Sequence, residues 1–247
     1  MSEATARRTL RAAIFDVDGV LVASPHEQAW REALAGYADP SLFTTEFYQA
    51  NVAGKPRLAG ARATLEGLGV SHAATRAAEY ATKKQALIDH LIEAGEFESF
   101  PDAVRLAVAL RAAGLRLSLA SSSKNVEPML RRLPVPGGGT LLSVFDANLS
   151  GVDVPRGKPD PALFLLAAKA LNAPPAECLV VEDAPAGIEA ARAGGMASLG
   201  IARLDDEALL RAAKADLVVT NLDHIDVAAI ADGILRTKAG TKASTHA

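Results

Sequence analysis

Five short apolar runs, each closing on a polar turn, set the frame of this chain: Ala12–Phe15, Leu115–Ala120, Cys178–Val181, Ala197–Ile201 and Leu217–Thr220. Runs this short and this uniformly apolar read as strands buried on both faces. Helical periodicity alternates with the later four, the signature of a parallel sheet built by right-handed crossovers. The first two runs are separated instead by about 90 residues of alanine-rich, mostly helical pattern, too long for one crossover. Pro25 and the Phe100-Pro101-Asp102 segment mark its edges. The sequence therefore predicts an α/β fold, with a five-stranded parallel sheet in a core of residues 1–23 and 99–247 and a helical insertion at 24–98.

The polar turns carry the chemistry. The first strand runs into Asp16-Val17-Asp18-Gly19, placing two carboxylates at the strand's carboxyl end, the edge where ligand sites form in parallel sheets. Side chains alternate at period two, so Asp16 and Asp18 point the same way, and such a pair stays ionised only when a cation or donor holds it. The second strand ends in Ser121-Ser122-Ser123-Lys124-Asn125, a hydroxyl-rich loop opening a helix, where free backbone N–H groups can cradle phosphate. Lys158 precedes Pro159-Asp160-Pro161, with Asp160 the expected N-cap and Pro161 the first residue of a helix. The third strand ends in Glu182-Asp183, before a helix that closes at Gly194-Gly195. Carboxylates, a hydroxyl, a cation and further carboxylates on four loops divide the labour of phosphoryl transfer.

Taken in order, Asp-Val-Asp-Gly-Val, Ser-Ser-Ser, Gly-Lys-Pro-Asp-Pro and Val-Glu-Asp-Ala-Pro-Ala-Gly resemble the four motifs of the haloacid dehalogenase (HAD) superfamily. Within it, the chain is most similar to the β-phosphoglucomutase-like subfamily, over roughly residues 14–222. The resemblance implies a Rossmann-like core, an inserted α-helical cap and an aspartyl-phosphate intermediate. Asp18 and the Glu182-Asp183 pair favour phosphoryl transfer over dehalogenation, because the dehalogenases lack the second aspartate and need no metal. On that basis Asp16 is the nucleophile and Asp18 the general acid/base. Ser121 and its neighbouring N–H groups hold the phosphoryl oxygens, and Lys158 neutralises the gathered charge. The implied metal is Mg²⁺, held by the Asp16 carboxylate, the Asp18 carbonyl and Asp183, with Glu182 in or just behind that shell. Enclosure beneath the cap is expected to raise the Asp18 carboxyl toward the range an acid needs.

The insertion is expected to read the substrate. His26-Glu27-Gln28-Ala29-Trp30 resembles a stretch of the β-phosphoglucomutases whose histidine orients the acid/base aspartate, although this chain is about two residues shorter just before it. Gly54-Lys55-Pro56-Arg57 resembles a loop whose arginine grips a second, non-transferring phosphate, a task suited to a planar fork of donors. Ala53 replaces the lysine that commonly precedes that glycine, and Lys55 can compensate. Lys84 lies where the family carries a substrate-reading lysine, and Ser122, Ser123 and Asn125 complete the candidate binding set.

Composition excludes several other classes. A net charge of −3 and the lack of a basic stripe argue against a nucleic-acid partner. The single cysteine, Cys178, rules out an intramolecular disulfide framework and Cys-rich zinc sites, and reads as a small buried side chain. No apolar run approaches the roughly 20 residues that span a bilayer. Met1–Arg11 has basic residues but no apolar core like that of a signal peptide, and Thr237–Ala247 is expected to fray. These features suit a cytoplasmic enzyme acting on a small phosphorylated metabolite, and a monomer suits a cap that must move. The favoured reaction is conversion of β-glucose 1-phosphate to glucose 6-phosphate. A sugar or metabolite phosphatase is the alternative, and a non-catalytic binding protein on the same core is the remote one.

Overall fold

The computed structural model describes residues 9–240. Residues 1–8, which hold most of the segment weighed as a leader, and 241–247, the end of the expected frayed tail, lie outside the described residues. The sheet is wholly parallel and has six strands, one more than the sequence predicts. In chain order they are β1 (Ala12–Phe15), β4 (Arg116–Leu119), β5 (Ala147–Asn148), β6 (Cys178–Glu182), β7 (Ala197–Ile201) and β8 (Leu217–Val219), arranged β5-β4-β1-β6-β7-β8. The extra strand, β5, is two residues long and pairs Ser118 with Ala147 and Leu119 with Asn148. It has no apolar run to announce it, because an edge strand this short is made by tertiary pairing. The remaining two strands, β2 (Val22–Ala23) and β3 (Glu98–Ser99), pair antiparallel where the chain leaves the sheet domain and where it returns.

Period-two alternation sorts the strand residues onto two apolar layers. Ala13, Phe15, Leu117, Leu119, Leu179 and Val181 face one layer, and Ala12, Ile14, Cys178 and Val180 face the other. Helices α5 (Pro101–Ala112) and α6 (Val126–Leu130) supply the first layer, while α7 (Ala162–Ala170) and α8 (Pro185–Ala193) supply the second. Helix α7 begins one residue later than predicted: Pro161 occupies the N-cap position, and Asp160 still satisfies a free donor by accepting from Ala162 N at 3.0 Å. Gly195, at φ +74, closes α8 in the left-handed conformation that favours glycine.

Between β2 and β3 lie four α-helices, with a short 3-10 turn at Pro40–Leu42: α1 (His26–Ala33), α2 (Thr45–Asn51), α3 (Arg57–Gly67) and α4 (Ala73–Ala94). They enclose an apolar cluster of their own, built on Trp30, Leu34, Phe43, Leu65 and Tyr80. The fully buried Tyr80 satisfies its hydroxyl by donating to Trp30 O at 2.8 Å. The later part of α4 changes allegiance, since Ile88, Leu91 and Ile92 join the main core beside the sheet. The long helix therefore fixes the insertion over the carboxyl edge of β1 and β4, where the polar loops gather.

Candidate active site

Strand β1 lies between β4 and β6, where chain order runs outward in both directions, and a crevice forms at such a switch point. Asp16 leaves the end of β1, Glu182 ends β6 and Ser121 follows β4 after one residue. Lys158 arrives from the loop before α7 and is buried with them. Its Nζ donates to Asp16 Oδ1 and to Glu182 Oε1, both at 2.5 Å. Glu182 is fully engaged, because its Oε2 also accepts from the N–H groups of Asp183 and Ala184 at 2.8 and 3.1 Å. Asp16 Oδ2 accepts from Val17 N at 2.6 Å.

Carboxylate oxygens of Asp16, Glu182 and Asp183 lie within 4.8 Å of one another. One lysine faces these three buried acids, and the imbalance shows in the protonation of Asp16 and Asp183. Burial pushes Asp16 up to about 7 against the pull of Lys158, with Glu182 and Asp18 adding to the rise. Burial, then Glu182 and Asp16, push Asp183 well above the usual carboxylate range. Three clustered carboxylates suit a hard divalent cation, so the acidic triad could hold a metal. Gly19 is required here, since at φ +85 a Cβ would lie 1.9 Å from Asp183 Oδ2.

Above this cluster runs a chain of polar contacts. Lys84 Nζ lies 2.7 Å from His26 Nδ1, leaving Nε2 to carry the ring proton. That Nε2 is 3.2 Å from Ser123 Oγ and 3.3 Å from Asp18 Oδ1. The latter distance falls within ion-pair range but lacks hydrogen-bond geometry, so Asp18 Oδ1 is buried without a donor. The Asp18 carboxyl does not rise as expected. Burial pushes it up, but the attraction of nearby His26, with help from Ser24 and Lys84, holds it at about 2. Burial lowers His26, and burial lowers Lys84 to about 7 against the pull of Asp18.

The cleft between insertion and sheet encloses about 610 Å³, its open mouth included, and is lined by Asp16, Asp18, His26, Gly54, Arg57, Lys84, Ser121, Ser122, Ser123, Asn125 and Asp183. The sequence candidates are thus brought together, with Lys158 and Glu182 buried beneath. Ser121 Oγ accepts from Ser123 N at 3.0 Å and so orders the loop, while α6 begins further on at Val126. Gly54 reaches the core directly: its carbonyl accepts from Ser122 Oγ at 3.2 Å. Arg57 opens α3 and is half-buried. The wall also contains Trp30, Tyr48 and Gln85. Tyr48 has no signal in the sequence, where a single aromatic in a short helix carries no motif. A second opening, of about 570 Å³, reaches Asp18 and Asp183 from the side of the β2–β3 crossing, the hinge between sheet domain and insertion, beside Ser24, Tyr48 and Phe100.

A parallel sheet with an acidic cluster, a buried lysine and a serine loop at one edge defines a class of phosphoryl-transfer enzymes. The family described as "haloacid dehalogenase-like hydrolase" matches residues 10–195, and the chain belongs to that family. It is 32% identical over 195 residues to Protein CbbY of Rhodobacter capsulatus, covering 76% of this chain and 83% of that protein. It is 30% identical over 217 residues to the phosphorylated carbohydrates phosphatase of Thermotoga maritima, covering 85% and 94%. Among solved structures, the archaeal β-phosphoglucomutase from a hyperthermophilic Pyrococcus superposes with a TM-score of 0.71 at 32% identity, covering 90% of this chain and 97% of that one. Membership of this enzyme family sets aside the binding-protein alternative. Among the described residues, no helix is long and apolar enough to cross a membrane.

Proposed function

We propose that the protein moves a phosphoryl group through Asp16 on a small sugar phosphate, as a β-phosphoglucomutase-like enzyme interconverting β-glucose 1-phosphate and glucose 6-phosphate. One observation carries this reading. The cleft brings Arg57, a cation of the insertion, together with Asp16 and Ser121, with Lys158 buried beneath them. A sugar bisphosphate that must turn around between two half-reactions needs a grip at each end.

In this scheme an Asp16 carboxylate oxygen attacks phosphorus as the bond from phosphorus to the sugar oxygen breaks, and that oxygen takes the proton Asp18 collected in the preceding half-reaction. Lys158 keeps Asp16 aligned and offsets the charge that collects on the phosphoryl oxygens. Glu182, with both oxygens engaged, positions Lys158. Asp18, held ionised near 2, is set as the base that takes a proton from the acceptor hydroxyl in the return step. His26 and Lys84 orient it. Asp16, the Asp18 carbonyl and Asp183 would hold Mg²⁺, which supplies positive charge to the transferring group. Residues 24–98 act as the cap and 1–23 with 99–247 as the core, a division supported by the β2–β3 crossing and the separate apolar cluster of the insertion.

A phosphatase is the second reading, favoured by the hinge-side opening, which gives water an approach to Asp18. The deciding assay supplies β-glucose 1-phosphate, Mg²⁺ and a trace of β-glucose 1,6-bisphosphate, and follows glucose 6-phosphate and free phosphate together. Glucose 6-phosphate outpacing phosphate supports the mutase. Phosphate alone refutes it in favour of the hydrolase.

A further inference from the structure

Between α2 and α3 the chain carries Gly54-Lys55-Pro56 down onto the loops that hold the reacting groups. The Gly54 carbonyl accepts from Ser122 Oγ at 3.2 Å, and a Cβ on Gly54 would lie 3.3 Å from Ala184 Cβ and 3.7 Å from Lys158 Cδ. Pro56 bears on Gly157, the residue before Lys158. A Cβ on Gly157 would overlap Pro56 Cγ and lie 2.6 Å from its Cδ, closer than carbons pack, while Pro56 Cβ would be 3.6 Å away, an ordinary contact. One segment of the insertion thus touches three of the four loops that carry the chemistry.

The backbone at Gly157 does not call for glycine. It is not among the glycines in the left-handed region, so alanine can take its conformation. The three atoms nearest the added Cβ all belong to Pro56, so this glycine answers to the insertion and not to the core. Pro56 is a firm counterpart, since its ring fixes φ, here −56, and Arg57 follows at once as the first residue of α3. Moving Pro56 therefore moves Arg57, which shares the cleft wall with Asp16. A methyl group on residue 157 has to push the ring away by roughly 1 Å to reach ordinary carbon contact. A misplacement of that size can cost a reaction on the order of a hundredfold.

We propose that Gly157 and Pro56 are positioning residues: together they form a steric seat on which the insertion comes to rest with Arg57 registered against the Asp16 site. This rests on the reading of residues 24–98 as a cap over a phosphoryl-transfer site. The test is a steric double-mutant cycle on consumption of β-glucose 1-phosphate, with Mg²⁺ and a trace of β-glucose 1,6-bisphosphate. Gly157→Ala should lower kcat/KM on the order of tenfold or more. Pro56→Ala, which deletes Cγ and Cδ, should cost less, and the double variant should return to the level of Pro56→Ala. A fault confined to the loop before Lys158 would not be rescued from the insertion. A fall in the urea midpoint of Gly157→Ala should likewise be relieved in the double variant. Full activity in Gly157→Ala, or a double variant as slow as Gly157→Ala, overturns the seat. A wild type that hydrolyses 4-nitrophenyl phosphate but leaves β-glucose 1-phosphate untouched overturns the sugar reading alone, and the same cycle on the aryl ester then decides the seat. A wild type that acts on neither overturns the phosphoryl-transfer reading and the seat with it.

Discussion

Lys84 is 4% exposed, and its ammonium has His26 Nδ1 at 2.7 Å and the Trp30 ring at 5.0 Å. Neither partner carries a full negative charge, which is why burial outweighs the pull of Asp18 and Asp89 and holds this lysine at about 7. Between about 7 and 10.5 the unfolded chain binds a proton that the folded chain does not, so stability rises with pH across that window. Below it, both states are protonated and the full penalty applies. A fall from 10.5 to about 7 corresponds to at most about 4 to 5 kcal/mol. Lys84→Met removes the charge and keeps most of the apolar stem. The variant is therefore expected to gain stability over the wild type at pH 7 in the absence of ligand. Its advantage should shrink by about 3 kcal/mol as pH is raised to about 9.5, following the linkage slope. Urea unfolding of both proteins at several pH values measures this, since titrations common to both cancel in the difference. A difference independent of pH would refute the argument, because no other consequence of the substitution has that pH signature. The same lysine should weaken phosphate binding when replaced, so the gain in stability comes with a loss of affinity.

Three further outcomes are expected. Asp16→Asn should abolish turnover and covalent phosphate incorporation, and retained turnover would remove Asp16 from its role as nucleophile. Mg²⁺ at a hundredfold excess over its dissociation constant should stabilise the protein by about 2.7 kcal/mol in thermal unfolding, and Asp183→Asn should erase most of that shift if the acidic triad is the site. Arg203 forks onto Asp102 with two contacts of 3.0 Å, stacks on Phe100 and donates to the carbonyls of Gly19 and Val20, bracing the hinge against the Asp18 turn. Arg203→Met should cost about 3 to 5 kcal/mol by chemical denaturation, because it strands the Asp102 carboxylate, and a loss below about 1 kcal/mol would show that backbone donors alone satisfy it.

Much of the fold is legible in the sequence because buried parallel strands are read locally: β1 and β7 fall on the apolar runs that predict them. The loops at Asp16, Ser121, Lys158 and Glu182 are legible for a related reason, since each follows a strand or precedes a helix and the carboxyl edge collects them. Other features have no local signal. Strand β5 exists only because β4 offers it an edge. Tyr48 and Gln85 enter the cleft because α2 and α4 are laid across the sheet, and periodicity tells which face of a helix is apolar, not what its polar face meets. Asp18 shows the limit most clearly. Its burial is implied by its place after a strand, and burial alone raises a carboxyl. Its protonation was decided in the opposite direction by His26, eight positions on but turned back toward it, and by Lys84 behind that ring. Local sequence determines which segments become strands and helices and which chemical groups their ends carry. Charge balance in a buried site depends on distances between residues far apart in the chain, and those only the tertiary structure sets.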